Sequence, residues 1–428
     1  MDENVVSLKP NRPILSRYLE SYIEQAHKQE QQLALLLIQI QRGQELATLL
    51  GYRAIDRLLE ESAARMCTVC RKQDRIIRIG DLEFAMILPD MLNDGHAMLA
   101  ANKIVGKLAQ PYALEAGTFS AESRIGIAMF PEHAAKVETL VQYAESALAD
   151  AKASGLPYGI YTARSLSKIE EAWDIESAID AGLRAGEFEV YYQPKINLHN
   201  RRLCGAEALV RWHHPKRGLV SPAEFIPAAT KTGQLKPLTW SVLNMTLGHL
   251  ASWPTESGQL TVAVNIAPTL LKDELVNRVT DAMGIWGTKP DTLIVELTES
   301  GVMSQPELGF DILRHLRQKG VGVSIDDFGT GYSSLANFRH MPATELKIDK
   351  SFVTNMLVNE PDFRIVRSVI ALGKSFDLAV AAEGAENLST LGKLASSGCD
   401  YAQGYCISPP MPADTFNDFI ADYTPMVY

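Results

Sequence analysis

The stretch VSIDDFGTGYSSL, which runs from Val323 to Leu335, decides the fold class of the second part of this chain. Its β-branched, apolar start predicts a strand, and this strand ends in two adjacent carboxylates, Asp326 and Asp327, before a glycine-rich loop. Side chains alternate between faces along a strand, but neighbours can converge where the strand passes into a loop. Two aspartates brought together repel each other unless cations lie between them. The stretch therefore predicts a divalent metal site at the carboxyl end of a strand.

Several other stretches follow the same pattern, in which a short apolar run ends on an acid, an amide or a lysine. They are CGAEALVRW with Glu207 and Arg211, LTVAVNIA with Asn265, TLIVELTES with Glu296 and Glu299, ELKIDKSF with Lys347 and Asp349, and LAVAAEGAE with Glu383 and Glu386. From Asn265 to Glu383, successive polar positions lie 21 to 36 residues apart, which is enough for a strand, a helix and two loops. Repeated units of this size predict an α/β fold whose parallel sheet closes into a barrel, with the active site at the carboxyl ends of the strands.

Together with YYQP and QGY, these motifs occur in the order found in the EAL domain. From roughly Trp173 to the C-terminus the chain resembles that family, whose members are bacterial phosphodiesterase modules that linearise the second messenger cyclic di-GMP. The resemblance implies a modified TIM (β/α)8 barrel, usually with its first strand antiparallel to the others. It also implies hydrolysis of cyclic di-GMP to linear 5′-pGpG by a two-metal mechanism, with two Mg²⁺ or Mn²⁺ ions as cofactors.

The resemblance assigns metal and catalytic roles to matching positions. One ion would be held by Glu207, Asn265, Glu296 and Asp326, and the other by Asp326, Asp327 and Glu383. Lys347 would hydrogen-bond the attacking water or a phosphate oxygen as negative charge develops. Glu299 would anchor the DDFGTGYSS loop, whereas Asp349 is better explained as the cap of the following helix. The expected catalytic residues are Glu207, Asp326, Asp327, Lys347 and Glu383.

The resemblance also implies a set of substrate contacts, namely Gln193, Arg211, Glu386 and Gln403. The arginine suits a phosphate, and the glutamines suit the hydrogen-bonding edges of guanine. Glu386 keeps an alternative role, in which it supports Glu383 instead of contacting substrate.

The first part of the chain predicts an α+β fold. LALLLIQIQ, Leu33 to Gln41, has the composition of a strand, RIIRIGDLEFAMILP, Arg75 to Pro89, that of a hairpin, and YRAIDRLLEESAARM that of a helix. This part resembles a degenerate GGDEF domain, the fold of the diguanylate cyclases. At the signature turn, where the family has Gly-Gly-Asp/Glu-Glu-Phe, the chain has Gly80-Asp81-Leu82-Glu83-Phe84, and Gln39 replaces the aspartate that ends the first strand. Because leucine cannot bind magnesium and glutamine is a poor ligand, we expect an inactive, regulatory domain.

Arg71 and Asp74 keep the R-x-x-D spacing that forms an inhibitory product site in active cyclases. With no cyclase left to inhibit, an ion pair or a strand-leading cap is the favoured interpretation. Binding of GTP or another guanine nucleotide, which would tune the neighbouring barrel, is the alternative.

The sequence therefore divides into four segments: an N-terminal extension (1–29), a degenerate GGDEF domain (30–165), a connecting helix (166–186) and an EAL phosphodiesterase domain (187–428). The connecting segment has apolar residues at helical spacing and is predicted to pack on one or both domains, with a two-helix signalling linker as the alternative. The resemblance also implies a homodimer formed through the EAL domain.

Composition narrows the range of partners. The net charge of −10 argues against a nucleic-acid polymer, although metal ions and Arg211 can offset the phosphates of cyclic di-GMP. No apolar run reaches the roughly 20 residues of a membrane span, and the polar start MDENVVSLKP is not a signal peptide, so we expect a cytoplasmic protein without a membrane partner. Two alternatives to an enzyme stay open: a receptor that binds cyclic di-GMP without turnover, and a protein-interaction scaffold.

Overall fold

The chain forms two units, Met1–Trp173 and Asp174–Tyr428. The structure is a computed structural model that describes residues 4–7, 9–41, 48, 51–114, 117–254, 259–303, 306–329 and 340–427. Among these residues, no helix is both long enough and apolar enough to cross a membrane.

The first unit contains a six-stranded mixed sheet with the order β1-β3-β4-β2-β7-β8, and a separate pair, β5 and β6. The strands are β1 (Val5–Ser7), β2 (Gln32–Ile40), β3 (Arg75–Arg78), β4 (Glu83–Met91), β5 (Tyr112–Leu114), β6 (Gly117–Phe119), β7 (Ser123–Phe130) and β8 (Tyr158–Ile160). The helices whose bounds the structure describes are α1 (Arg12–Gln29), α2 (Tyr52–Cys67), α3 (Asp94–Leu108) and α4 (Val137–Ala153). Antiparallel pairing of β3 with β4 confirms the hairpin predicted from the sequence.

Burial of both faces explains why the sequence of strand β2 is an unbroken apolar run. The leucines at 33, 35 and 37 pack in one core with α1 and α4, whereas Leu36 and Ile38 pack in a second core with α2 and α3. Successive side chains of a strand point to opposite faces, and helices cover both faces here. Every position of this central strand is therefore buried from Leu33 to Ile38.

Helix α1 belongs to the first core, although residues 1–29 were predicted to be an extension before the domain. Leu15, Leu19 and Ala26 are buried against the sheet, and β1 pairs with β3. The side chain of Asn11 caps the helix by accepting a hydrogen bond of 3.0 Å from the amide of Ile14. The α+β unit therefore begins before residue 30, because this helix covers apolar surface that would otherwise face water.

The second unit contains a closed barrel of eight strands in the order β9-β10-β12-β13-β14-β15-β16-β17, with β17 pairing back to β9. The strands are β9 (Phe188–Asn197), β10 (Leu203–His214), β11 (Gly218–Val220), β12 (Thr261–Asn265), β13 (Leu293–Thr298), β14 (Gly322–Phe328), β15 (Glu345–Ile348), β16 (Ala379–Ala382), β17 (Tyr401–Gln403) and β18 (Met411–Pro412). Strand β9 is antiparallel to both of its barrel neighbours, and the remaining barrel pairs are parallel. The predicted TIM-like barrel and its antiparallel first strand are confirmed.

Helices cover the outside of the barrel and supply its second apolar layer. The helices are α5 (Ala163–Ala185), α6 (Pro222–Lys231), α7 (Leu235–Leu250), α8 (Asp273–Trp286), α9 (Glu299–Met303), α10 (Pro306–Gln318), α11 (Lys350–Asn355), α12 (Glu360–Ser375), α13 (Leu388–Ser397) and α14 (Ala413–Asp422), with 3-10 turns at Pro268–Leu270 and Pro290–Thr292. The predicted connecting segment lies in α5, and the division between the two units falls inside this helix. Its residues Ile175 and Ile179 are buried with the barrel core.

Candidate active site

The polar residues at the carboxyl ends of the barrel strands meet at one rim, as the sequence pattern predicted. Glu207 lies on β10, Asn265 on β12, Glu296 on β13, Asp326 and Asp327 on β14, Lys347 on β15 and Gln403 on β17, and Glu383 directly follows β16. Strand register aligns this rim, since Asn265 pairs with Glu296 and Thr298 pairs with Asp326. Parallel strands in register bring their carboxyl ends to the same edge of a barrel.

Lys347 lies at the centre of this group. Its Nζ is 2.6 Å from Glu383, 3.0 Å from Glu207, 3.1 Å from Glu296 and 3.6 Å from Asp326. Complete burial by itself would lower the pKa of Lys347, but the surrounding carboxylates raise it well above its ordinary value. The lysine is therefore a buried, permanent positive charge at neutral pH.

Glu207 is the most hydrogen-bonded of these carboxylates. It accepts hydrogen bonds from Asn265 at 2.7 Å, from Gln403 at 2.6 Å and from Lys347 at 3.0 Å. Burial tends to raise the pKa of Glu207, but Lys347 and the two amides hold it below its ordinary value. Gln403 also donates to Glu383 at 3.2 Å, so its amide links two carboxylates.

The adjacent pair Asp326 and Asp327 departs from regular strand geometry. Asp327 has a φ of 54°, in the left-handed region, and the pairing of β14 with β15 shifts register between Ile325 and Phe328. This irregularity changes the direction of the backbone where a regular strand would send the two side chains to opposite faces. Burial and the neighbouring carboxylates of Asp326 and Asp349 raise the pKa of Asp327 to about 6.

Burial, together with neighbouring carboxylates, also shifts the pKa of the other two acids. Burial raises the pKa of Glu296 well above its ordinary value, with Lys347 opposing the shift and Glu207 adding to it. Burial likewise raises the pKa of Glu383 to about 7. Mutual repulsion of this kind is relieved by cations, and carboxylate and amide oxygens are the donors that hard divalent ions prefer.

The donor chemistry of the rim therefore fits a divalent metal ion. In the part of the chain that the structure describes, however, no group of three or more acidic, histidine or cysteine side chains has the spacing of a metal site. The carboxylates are arranged around the ammonium of Lys347 instead. The predicted ligand set of Glu207, Asn265, Glu296, Asp326, Asp327 and Glu383 stays a prediction.

Glu299 contacts the start of the loop that it was predicted to anchor. Its Oε2 accepts a hydrogen bond of 3.1 Å from the backbone amide of Gly329. Most of that loop, residues 330–339, lies outside the described residues. Asp349 caps α11 by accepting a hydrogen bond of 2.9 Å from the amide of Ser351, as predicted.

A cavity of about 500 Å³ opens at the rim. Its lining includes the predicted substrate contacts Gln193, Arg211, Glu386 and Gln403 together with Glu207, Asn265, Asp326 and Glu383. The same lining contains residues to which the sequence reasoning gave no role, namely Leu209, Lys350, Thr354, Tyr405 and Pro410. Lys350 lies in the motif KIDKSF and Tyr405 in the motif QGY, so their place in these motifs could have indicated a role at the rim.

A second buried ion pair lies inside the barrel and was also missed. Nζ of Lys195 is 2.9 Å from Oε2 and 3.1 Å from Oε1 of Glu345, and the hydroxyl of Ser324 donates to Oε1 at 3.1 Å. Strand register pairs Gln403 with Lys195 and Ser324 with Glu345. The available signal was Lys195, a lysine in the middle of the strand stretch YYQPKIN.

In the first unit, the two positions that would hold metal in a GGDEF domain, Gln39 and Leu82, lack carboxylates. Leu82 packs against an apolar core, and the amide of Gln39 donates a hydrogen bond of 3.0 Å to Glu83. Asp74 is buried and accepts from Arg71 at 3.0 Å, while the same guanidinium donates to the carbonyl of Pro89 at 2.6 Å. These two residues border a cavity of about 310 Å³.

Comparisons with known proteins agree with this architecture. Residues 176–410 match the EAL domain model and residues 8–156 match the model "Diguanylate cyclase, GGDEF domain". The EAL match covers more than half of the chain. The chain belongs to the EAL family, and its EAL domain follows a GGDEF domain.

Two Pseudomonas aeruginosa proteins and one solved structure are among the similar proteins. The bifunctional diguanylate cyclase/cyclic di-GMP phosphodiesterase MucR is 32% identical over 97% of this chain and 61% of its own length. The cyclic di-GMP phosphodiesterase NbdA is 31% identical over 96% of this chain and 53% of its own length. The c-di-GMP complex of PaMucR phosphodiesterase has a TM-score of 0.55 and 36% identity, covering 57% of this chain and 99% of the solved chain. The chain thus spans about half to three-fifths of the length of these two curated relatives.

Proposed function

We propose that this protein is a cyclic di-GMP phosphodiesterase that opens one phosphodiester bond to give linear 5′-pGpG. The observation that carries the proposal is the group of four carboxylates within 3.6 Å of Lys347 at the rim of the barrel. The adjoining cavity combines carboxylates with an arginine and amides, which suits a phosphate diester that carries guanine bases. The names of two relatives and of a solved neighbour include this activity or this ligand.

The proposed metal ligands are Glu207, Asn265, Glu296 and Asp326 for one cation, and Asp326, Asp327 and Glu383 for the other. When bound, two divalent cations, Mg²⁺ or Mn²⁺, supply Lewis-acid chemistry that draws charge from the phosphate and lowers the pKa of water. Glu207 suits this role because its pKa is held low, so it is ionised at neutral pH. Glu383, whose pKa is raised to about 7, would release its proton as a cation arrives.

The chain's own groups would position and stabilise the reacting phosphate. The ammonium of Lys347 donates hydrogen bonds in a buried site, where a preorganised charge acts more strongly than in water. Arg211 is half-buried and can pair with a phosphate oxygen, and Gln193 and Glu386 offer polar groups to the bases. Glu299 holds the amide of Gly329 and so restrains the chain that follows Asp327.

We also propose that the GGDEF domain is regulatory and makes no cyclic di-GMP. Leu82 has no donor for a metal ion, and the amide of Gln39 is engaged by Glu83. Binding of GTP to this domain and dimerisation through the EAL domain are further proposals, tested by calorimetry with GTP and by light scattering.

Chromatography of nucleotide products tests the proposal directly. Wild-type protein is incubated with cyclic di-GMP and Mg²⁺, Mn²⁺ or EDTA, and separately with GTP and Mg²⁺. We expect pGpG only with a divalent cation, none with Glu207→Gln, and no cyclic di-GMP from GTP. Glu189→Gln is the matched control, because Glu189 is exposed on β9 and pairs with His213. Binding of cyclic di-GMP without turnover would identify a receptor, and neither binding nor turnover would favour a scaffold.

A further inference from the structure

Two cationic residues, Arg211 and Lys350, are found in the lining of the rim cavity. Lys347 also lies at the rim, but it is completely buried and surrounded by four carboxylates. A cyclic dinucleotide carries two phosphates, and the carboxylate group with its cations can act on one of them. The other phosphate requires a separate positive charge.

Lys350 has an ammonium that is available for such a contact. It is the first residue of α11, and its side chain is exposed. It forms no ion pair or side-chain hydrogen bond with another residue in the described ranges of the chain. It lies next to Asp349, whose pKa burial tends to raise but hydrogen bonds from Ser351, and to a smaller extent the charge of Lys350, lower. Among the described residues Lys350 has no such partner, so it brings a positive charge to a cavity that is also lined by four acids, Glu207, Asp326, Glu383 and Glu386, and this charge can attract an anion.

The stem of Lys350 is held beside the catalytic rim by a close backbone approach. A Cβ added at Gly384 would lie 2.8 Å from the Cβ of Lys350, and Gly384 has a φ of +69°. Only glycine satisfies both conditions without strain. Gly384 directly follows Glu383, so this packing fixes the lysine stem close to one of the carboxylates at the rim.

The strand order places Lys350 and Arg211 on opposite walls. Arg211 lies on β10 and Lys350 follows β15, and these strands are four steps apart in either direction around the barrel. Arg211 interacts electrostatically with Glu207, its Nη1 donates a hydrogen bond of 2.8 Å to the carbonyl of Val210, and its guanidinium lies 5.6 Å from the ring centroid of Tyr191. Arg211 is therefore on the Glu207 side of the cavity.

We infer that Lys350 binds the phosphate that is not cleaved, and so selects cyclic dinucleotides over phosphodiesters with a single phosphate. This inference rests on the proposed function, which supplies the substrate class. Lys350 contributes to binding in the ground state and the transition state alike, because the uncleaved phosphate does not change its charge during the reaction. Its loss should therefore raise KM and leave kcat nearly unchanged.

The test compares two substrates in the full chain with Mn²⁺. Cyclic di-GMP has two phosphates, whereas bis(p-nitrophenyl) phosphate has one. Removing a hydrogen bond to a charged group typically costs about 10- to 100-fold in binding, so Lys350→Met should lower kcat/KM for cyclic di-GMP by about that factor through KM. Turnover of bis(p-nitrophenyl) phosphate should not change. Lys350→Arg should restore most of the loss. Lys289→Met, which removes an exposed lysine just before the 3-10 turn that leads into β13, should have no effect.

A binding measurement separates this inference from the proposed function. In EDTA, calorimetry with cyclic di-GMP should show weaker binding by Lys350→Met than by wild type, whether or not wild type has turnover. Unchanged Kd and KM in Lys350→Met would overturn the inference and leave the hydrolase proposal intact. An equal loss with bis(p-nitrophenyl) phosphate would also overturn it, since the lysine would then act on the reacting phosphate or on the fold. Binding without hydrolysis in wild type would overturn the hydrolase proposal alone.

Discussion

Nζ of Lys347 lies 2.6 Å from Oε1 of Glu383, and the same oxygen accepts a hydrogen bond of 3.2 Å from the side-chain amide of Gln403. Despite these two donors, burial raises the pKa of Glu383 to about 7, with Lys347 opposing the shift and Asp326 adding to it. A carboxyl group with this pKa gains or loses its proton near neutral pH. The stability of the metal-free protein should therefore depend on pH through Glu383.

The metal-free protein is expected to become less stable as pH rises from about 4.5 to about 7. The folded state holds the Glu383 proton more tightly than the unfolded state, so this contribution is fully present below the ordinary pKa of 4.5 and is lost as pH passes through about 7. Asp327, with its pKa raised from 3.8 to about 6, acts with the same sign at lower pH. Urea unfolding in EDTA should give a smaller pH slope for Glu383→Gln than for wild type. Equal slopes would contradict this account of Glu383.

Lys347→Met should remove the charge that holds the four carboxylates together. Removing one partner from a buried ion pair typically destabilises a protein by about 3–5 kcal/mol, and loss of a preorganised donor lowers kcat by about 100- to 1,000-fold. We expect both effects in this variant. Unfolding in EDTA measures the first, and pGpG formation with Mn²⁺ measures the second, with Lys289→Met as the control for loss of a lysine.

The same variant tests whether the carboxylates hold cations. Without the ammonium, a divalent cation becomes the main positive charge among the four carboxylates, so Mn²⁺ should raise the melting temperature of Lys347→Met by more than that of wild type. A smaller or equal shift would count against the proposed ligands.

Glu299 should act through the loop and not through the phosphate. Its carboxylate accepts from the amide of Gly329 at 3.1 Å, and Gln retains an oxygen that can accept the same hydrogen bond. Glu299→Ala should therefore reduce kcat by more than Glu299→Gln, while the metal-free affinity for cyclic di-GMP stays near the wild-type value. Glu307→Ala, an exposed change on α10, is the control. A larger loss in Glu299→Gln would show that charge matters more than the hydrogen bond.

The barrel and its rim could be predicted because their signals are local and repeat along the chain. Most of the parallel strands are short and apolar and carry a polar residue at or next to the carboxyl end, and parallel pairing then brings these residues together. Asp326 and Glu383, distant in sequence, lie in one cavity for this reason. The central position of Lys347 among four carboxylates could not be predicted, because it depends on distances across the barrel that no sequence spacing encodes.

Other features were missed for identifiable physical reasons. Helix α1 has no metal or motif signal, and its membership of the first core depends on Leu15 and Leu19 meeting strands far along the chain. Lys350 lies in a quoted motif, but its place in the cavity depends on the absence of a side chain at Gly384. Both features arise from tertiary packing.

The ion pair of Lys195 and Glu345 is the second buried charge group of the barrel. Both side chains are 5% exposed, with Nζ and Oε2 2.9 Å apart, and the carboxylate also accepts from Ser324. Lys195 lies on β9 and Glu345 on β15, which are three strands apart by the shorter way around the barrel, so the pair crosses its interior. Burying two charges has a large desolvation cost, which their attraction offsets only while both are present.

A double-mutant cycle should therefore show strong coupling between Lys195 and Glu345. Lys195→Met leaves Glu345 charged and unpaired, and Glu345→Gln leaves Lys195 unpaired, so each single change should destabilise the protein by about 3–5 kcal/mol. The double variant removes both charges and keeps similar side-chain volumes, so its free energy of unfolding should lie within about 1–2 kcal/mol of wild type. Urea unfolding of the four proteins measures the coupling. If the destabilisation of the double variant equals the sum of the two single changes, Lys195 and Glu345 do not compensate each other's charge. Ser324 or water must then satisfy each charge separately.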